Sequence, residues 1–368
     1  MENKLRIGFL DVVRTVAILL VVLNHCVEIV YRYPAEKIFI HLDYNTLLHM
    51  ATKTRILILS GFTLGRLGVP LFLLLTGYLV LSKNFNSEDK IKRFYSHNYL
   101  PLLITCEIWI VLYNVFNAIM GIRPFAIDLL WKNMLFLERI PMMNAWYIPM
   151  ILGVYIFLPY IARILQSVPG RRLLIFGLLL FLYYFVVPSY NLLLEVNKLP
   201  KIYSQLDLNY SGGTYGFYLL LGYCYYRYEE EIKSFLKKPG AKAGIAFLCL
   251  PMFAGTVAFE NWRYVHHAAY NVWYNFMLLP LVGFGCFVLL CQLNIGNKIF
   301  YNISLYSFAV YLIHVPIMQT LVKYGLYIPN RRTGIFLLWG GTLALSWVSI
   351  YILTRIKFFK KWGFMIKE

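Results

Sequence analysis

Four ionisable side chains sit inside one apolar run, LDVVRTVAILLVVLNHCVEIV: Asp11, Arg14, His25 and Glu28. Arg14 and His25 are eleven residues apart. At 3.6 residues per turn that is close to three whole turns, so in a helix both fall on one face, roughly 16 Å apart along the axis. Ionisable groups in hydrocarbon are costly unless they face a protein interior or a wet cavity, so a helix that keeps four of them is built around them. His25 is the candidate general base, because imidazole, with an ordinary pKa of about 6.5, takes a proton from a hydroxyl near neutral pH. Glu28 lies one turn away to orient or charge-balance the ring, and Asn24 is adjacent. The plainer alternative is a hydrogen-bonded structural histidine.

A second constellation lies in ISLYSFAVYLIHVPI, where Ser304, Ser307, Tyr311 and His314 recur at three- and four-residue intervals and line one helix face. Such a stripe is otherwise interhelical glue. His314 stands just before Pro316, where a helix loosens. A third apolar run carries Glu107, with Asn114 and Asn117 on roughly the same face. An intramembrane glutamate is a functional candidate, or the counter-ion of Arg14 or a histidine. Arg66 opens GRLGVPLFLLLTGYLV and is expected near the outer interface, where it contacts substrate or snorkels to headgroups. Trp146 and Tyr147 open another run, for substrate stacking or an aromatic belt. Lys90, Lys92, Arg93, Arg163, Arg171 and Arg172 would attract phosphate groups, which Arg binds bidentately, although a cytoplasmic basic bias accounts for them equally.

The elements that must position these residues follow from composition. The chain has 368 residues, 60% hydrophobic, 18% aromatic and only 14% charged, with a mean hydropathy of +0.62. Soluble domains are about a quarter charged. The sequence therefore predicts an all-α polytopic membrane helix bundle, one domain over 1–368 with no fused soluble domain. Ten segments are long enough for a hydrocarbon core of about 30 Å: 9–31, 65–82, 98–120, 143–163, 172–189, 212–227, 243–260, 271–292, 303–323 and 333–354. Amphipathic pieces at 46–62 and 125–138 are expected to lie in the interface or to form lids.

With the N-terminus inside, twenty Lys or Arg collect on one side and about thirteen on the other, which predicts both termini cytoplasmic. The net charge of +18 suits anionic headgroups or an anionic substrate. Nucleic acid is not expected, because the basic residues are scattered among short loops. The six cysteines show no metal-finger spacing and suggest no disulfide framework; they read as small buried apolar residues, and no metal site is expected. The first run, with internal charges and no small-residue cleavage site, is not a convincing signal peptide. The chain contains no phosphate-binding Gly-Lys-Ser/Thr loop, no G-x-S-x-G elbow and no H-E-x-x-H helix.

The chain resembles the membrane acyltransferase-3 family of integral O-acyltransferases. LDVVRTVAILLVVLNH matches its opening motif, an Arg and a His separated by ten residues. GVPLFLLLTGYLV resembles its second-span signature, with Thr76 in place of the usual Ser. AWYIPMILGVYIFLPYI resembles its Trp-Tyr segment, and SFAVYLIHVPI its late Tyr-x-x-His segment. The resemblance implies transfer of an acyl group, acetyl foremost and succinyl as a variant, from cytoplasmic acyl-CoA to a hydroxyl of an extracytoplasmic cell-surface glycan or lipid-linked sugar. It implies that Arg14 and His25 are the essential pair and that Tyr311 and His314 belong to the late motif, with Arg66 and Trp146 as weaker matches. Some members carry a fused extracytoplasmic esterase-like domain; a chain ending at Glu368 would hand the acyl group directly to its acceptor or to a separate extracytoplasmic partner.

On this reading acetyl-CoA is a substrate and no cofactor is permanently bound. Arg14 holds a phosphate or the pantetheine arm, and Lys92, Arg93, Arg171 and Arg172 form a basic cytoplasmic mouth. His25, oriented by Glu28 or Glu107, is the base, and Arg66, Tyr311 or His314 supplies an oxyanion donor. Arg66, Trp146, Tyr147 and Ser307 are candidate substrate contacts. The expected location is the cell membrane, multi-pass and among membrane lipids. The competing readings are a transporter of a small polar solute or lipid headgroup, and a non-catalytic assembly partner.

Overall fold

The computed structural model describes residues 8–31, 47–206, 208, 211–266, 273–293, 295, 297–324 and 331–366. The described residues are helical, with no strand among them. The helices, in chain order, are α1 (Gly8–Val30), α2 (Thr52–Arg66), α3 (Gly68–Val80), α4 (Glu88–Phe94), α5 (Leu100–Ile119), α6 (Ile127–Met134), α7 (Tyr147–Ser167), α8 (Gly170–Phe181), α9 (Val187–Val196), α10 (Gly213–Arg227), α11 (Glu229–Leu236), α12 (Ala241–Val265), α13 (Leu278–Leu290), α14 (Lys298–Tyr324) and α15 (Arg331–Leu353). The chain is an all-α polytopic membrane protein. Among the described residues, eight helical stretches are long and apolar enough to cross a bilayer.

Several limits differ from the sequence expectation of ten spans. The second span starts at Thr52 rather than 65 and runs to Val80. The segment 46–62, expected as an interfacial piece, supplies its first half, because Arg55 turns inward and is buried by its own contacts. The third begins at Glu88, where a π-turn over Tyr95–Tyr99 joins α4 to α5 without a break. The stretches expected at 212–227 and 271–292 form helices of only 15 and 13 residues, Gly213–Arg227 and Leu278–Leu290. Residues 271 and 272 lie outside the described residues.

The chain divides into two compact units. The first comprises 1–21, 44–84 and 160–304; the second comprises 22–43, 85–159 and 305–368. The long helices α1 and α14 each give their first residues to the first unit and the rest to the second.

Small residues set the packing of the first unit. A Cβ on Gly77 would overlap the Leu219 carbonyl oxygen, and one on Gly222 would overlap that of Leu74, so α3 and α10 cross backbone to backbone. A Cβ on Gly68 would lie 2.7 Å from the Ala17 carbonyl oxygen, so α3 also meets α1 closely. Within lipid the hydrophobic effect between helices is weak, and close backbone approach of this kind supplies the dispersion contact that replaces it. Phe9, Val13, Ala17, Leu74, Tyr78 and Phe287 fill the adjoining core. Two hydrogen bonds join α1 to the start of α14: Ser304 Oγ donates to Asp11 Oδ1 at 2.6 Å and Thr15 Oγ1 to the Phe300 carbonyl at 3.2 Å.

Side chains reaching for backbone oxygens organise the second unit. Thr105 Oγ1 donates to the Trp362 carbonyl and Trp109 Nε1 to the Gly363 carbonyl, each at 2.7 Å. The acceptors belong to the π-turn over Phe359–Gly363, which leaves carbonyls outside the helical ladder. Asn117 Nδ2 donates to the Pro141 carbonyl at 2.6 Å, and Asn114 Nδ2 reaches Asn133 Oδ1 at 3.3 Å. Asn133 Nδ2 donates to the Arg139 carbonyl at 2.8 Å, and Lys323 Nζ to the Met120 carbonyl at 2.6 Å. These bonds pin the segment 120–146, with the short helix α6 inside it, onto α5 and α14.

Candidate active site around His25

The C-terminal part of α1 carries His25, and α14 brings His314 against it. His25 Nδ1 lies 3.0 Å from His314 Nε2. The rings stack at 26° with centroids 5.1 Å apart. On its other side, His314 Nδ1 lies 2.8 Å from the Tyr311 carbonyl and 3.0 Å from that of Val310. A carbonyl only accepts, so His314 Nδ1 carries a proton, and neutral His314 presents a lone pair at Nε2. His25 Nδ1 must then be the donor to it. In neutral His25 the lone pair is left on Nε2, the nitrogen that faces Glu28 Oε2 at 4.0 Å. The network thus assigns both tautomers. His314 is fully enclosed, whereas His25 keeps 9% exposure.

Pro316 accounts for much of this arrangement. It lies inside α14, has no N–H, and cannot serve the carbonyl of Leu312 four residues earlier. Neighbouring side chains reach the carbonyls of this turn, and the freed one finds the partner that a helix in lipid requires. Tyr113 Oη donates to the Leu312 carbonyl at 2.7 Å. Asn144 Nδ2 donates to the Tyr311 carbonyl at 2.7 Å, and the Tyr311 hydroxyl donates back to the Asn144 carbonyl. The ring of Tyr311 packs edge-on against Tyr147, centroids 5.7 Å apart, and Tyr147 packs likewise against Trp146.

The second unit therefore gathers His25, Glu28, Tyr311, His314 and Tyr147 around one point, with Ser307 buried one turn before Tyr311 on α14. Glu107, on α5, forms no hydrogen bond or ion pair with these residues, and its Oε2 is buried without a hydrogen-bond partner among the described residues. Tyr311 directs its proton to a backbone oxygen rather than into an open space. Arg14 lies in the first unit, three turns before His25 on α1.

A model of an acyltransferase domain family, acyltransferase 3, matches residues 7–352. The chain belongs to the acyltransferase-3 family. No curated protein and no solved structure matches it. This membrane acyltransferase thus moves an acyl group to a hydroxyl, and the His25 cluster lies inside the matched region.

Arg66 of the acyltransferase does not open its span. It falls midway along Thr52–Val80 and is 3% exposed. Its guanidinium carbon stands 4.4 Å from the ring centroid of Phe62, 4.3 Å from that of Trp273 and 5.2 Å from that of Tyr274. A planar cation stacked on aromatic faces is held in place by their quadrupoles. Thr76 Oγ1 donates to the Phe72 carbonyl of its own helix at 2.8 Å. Lys92, Arg93, Arg171 and Arg172 are all exposed, the first pair on α4 and the second at the start of α8.

Two groups of residues escaped the sequence reading. Asn144 and Tyr113 hold the turn that precedes Pro316; only a polar position two residues before Trp146 offered a signal, and Tyr113 is one tyrosine among thirty. In the first unit, Arg55 Nε donates to Asn261 Oδ1 at 2.7 Å, Thr63 Oγ1 to Glu260 Oε2 at 3.3 Å, and Arg263 lies 3.9 Å from Glu195. Arg55, Glu260 and Arg263 are buried. Reading 46–62 as an interfacial piece hid this cluster.

Proposed function

We propose that the chain transfers an acetyl group from acyl-CoA to a hydroxyl of an extracytoplasmic cell-surface glycan or lipid-linked sugar, with His25 as general base. The observation that carries this reading is the bond between His25 Nδ1 and His314 Nε2, because it leaves the basic lone pair on the nitrogen of the more exposed ring. His25 Nε2 takes the proton of the acceptor hydroxyl. The alkoxide attacks the thioester carbonyl carbon, a C–O bond forms, the C–S bond breaks, and the departing thiolate of CoA receives the proton from the imidazolium. General base catalysis of this kind contributes about 10²–10⁴ in rate.

Glu28 balances the imidazolium that forms. His314 does not touch substrate; it is a positioning residue that receives the His25 Nδ1 proton in a hydrogen bond. Arg14 is assigned to a phosphate or the pantetheine arm of the donor, and Lys92, Arg93, Arg171 and Arg172 to attraction of its phosphates. Trp146, Tyr147 and Ser307 are assigned to the acceptor side, with both termini cytoplasmic and the cell membrane as the location.

The test is purified protein in lipid vesicles with labelled acetyl-CoA and a cell-surface glycan fraction from its host. The parent transfers label to glycan, and mass spectrometry finds one acetyl mass added to an identified sugar. His25→Ala that folds and transfers at the parental rate sinks the proposal.

A further inference from the structure

We infer that Asn144 is a positioning residue for proton transfer, acting through the Tyr311 carbonyl and His314 on the tautomer of His25; this rests on His25 being the base. Asn144 is 1% exposed and lies in the turn before α7, far from α14 in sequence. Its side chain and the Tyr311 main chain are bonded in one direction, the Tyr311 hydroxyl and the Asn144 main chain in the other. Such a reciprocal pair fixes both position and rotation. The Tyr311 carbonyl is also the nearer acceptor of His314 Nδ1, at 2.8 Å. One oxygen thus joins Asn144 Nδ2 to the His314 ring, and the His314 ring joins it to His25 Nδ1.

The chain of donors is directional. A carbonyl held by Asn144 points at His314 Nδ1 and keeps its proton there. His314 Nε2 must then accept, His25 Nδ1 must donate, and the His25 lone pair stays on Nε2. If the Tyr311 carbonyl is released, His314 Nδ1 keeps only the longer bond to the Val310 carbonyl at 3.0 Å, the ring is held less firmly, and the bias on its tautomer and on that of His25 weakens. The fraction of His25 with a basic Nε2 then falls although every residue of the pair remains.

The experiment uses full-length protein in bilayers, uniformly ¹⁵N-labelled at histidine, with the His25 signals assigned by difference against His25→Ala. In the parent, His25 shows a protonated Nδ1 and a bare Nε2. Asn144→Ala, and the isosteric Asn144→Asp at pH 8, are expected to show both His25 tautomers. Both variants are expected to lose about tenfold in kcat, less than the roughly 10²–10⁴ that a general base supplies because the base itself remains, with KM for acetyl-CoA unchanged. Activity is expressed per folded protein, so lost stability alone does not imitate the effect. A parental His25 spectrum and kcat in both variants, with transfer abolished in His25→Ala, overturns the role of Asn144 and leaves the base standing. Transfer that survives His25→Ala overturns both.

Discussion

His25 and His314 meet nitrogen to nitrogen at 3.0 Å, from helices whose contributions are 289 residues apart in sequence. One ring is fully enclosed and anchored to main-chain oxygens; the other retains some exposure. A buried imidazole that accepts at one nitrogen and donates at the other is a fixed spacer between helix backbone and a reactive ring.

The two histidines are therefore expected to respond differently to substitution. His25→Ala removes the base and should lower transfer by about 10²–10⁴. His314→Ala removes only the orienting acceptor and should retain a measurable fraction of parental kcat, with KM for acetyl-CoA little changed. Steady-state transfer of labelled acetyl groups distinguishes the two. Equal losses would show that His314 does more than orient.

Pro316→Ala restores an N–H that can bond the Leu312 carbonyl, in competition with Tyr113. The variant should fold at least as stably as the parent, because a helix interior favours Ala over Pro by about 3 kcal/mol. It should transfer more slowly, because a Leu312 carbonyl drawn back into the helical ladder loosens the Tyr113 contact that holds the turn between Tyr311 and His314. Thermal unfolding and kcat, measured on the same preparation, are expected to move in opposite directions.

Arg66→Lys should not rescue Arg66→Ala. Three rings surround a planar guanidinium, and a compact ammonium cannot stack on them. Desolvated cation–π contacts are worth about 2 kcal/mol or more. Both variants should lose stability in detergent by a comparable amount, read as a shift of Tm. Full stability in either variant would show that the rings do not hold the cation.

Gly77→Leu and Gly222→Leu should each weaken the fold, because their side chains would enter the facing backbone of α10 and α3 respectively. Overpacking costs typically about 1–3 kcal/mol, and backbone overlap leaves little room to relax. Gly153→Leu is the control, since nothing lies within 4 Å of a Cβ there. Melting curves of the three variants should separate the first two from the third.

Hydropathy and composition alone determined that the chain is an all-α membrane protein, since long apolar runs with few charges have no other stable backbone state in lipid. The family was legible in the spacing of Arg14 and His25 and in the segments around Thr76, Trp146 and His314. Three- and four-residue periodicity placed Tyr311 and His314 on one face of α14, and proline chemistry marked Pro316 as a loosened turn. The sequence did not reveal that Arg66 is enclosed by aromatic rings, since hydropathy placed the start of that span thirteen residues late and the rings of Trp273 and Tyr274 come from a distant stretch. It suggested Asn114 and Asn117 as companions of Glu107, whereas they staple a loop. Tertiary structure alone decided that His25 faces His314 and that Asn144 meets Tyr311. Periodicity reports which residues share a face of one helix; which face of another helix lies opposite depends on backbone approach, opened carbonyls and packing between segments far apart in the chain.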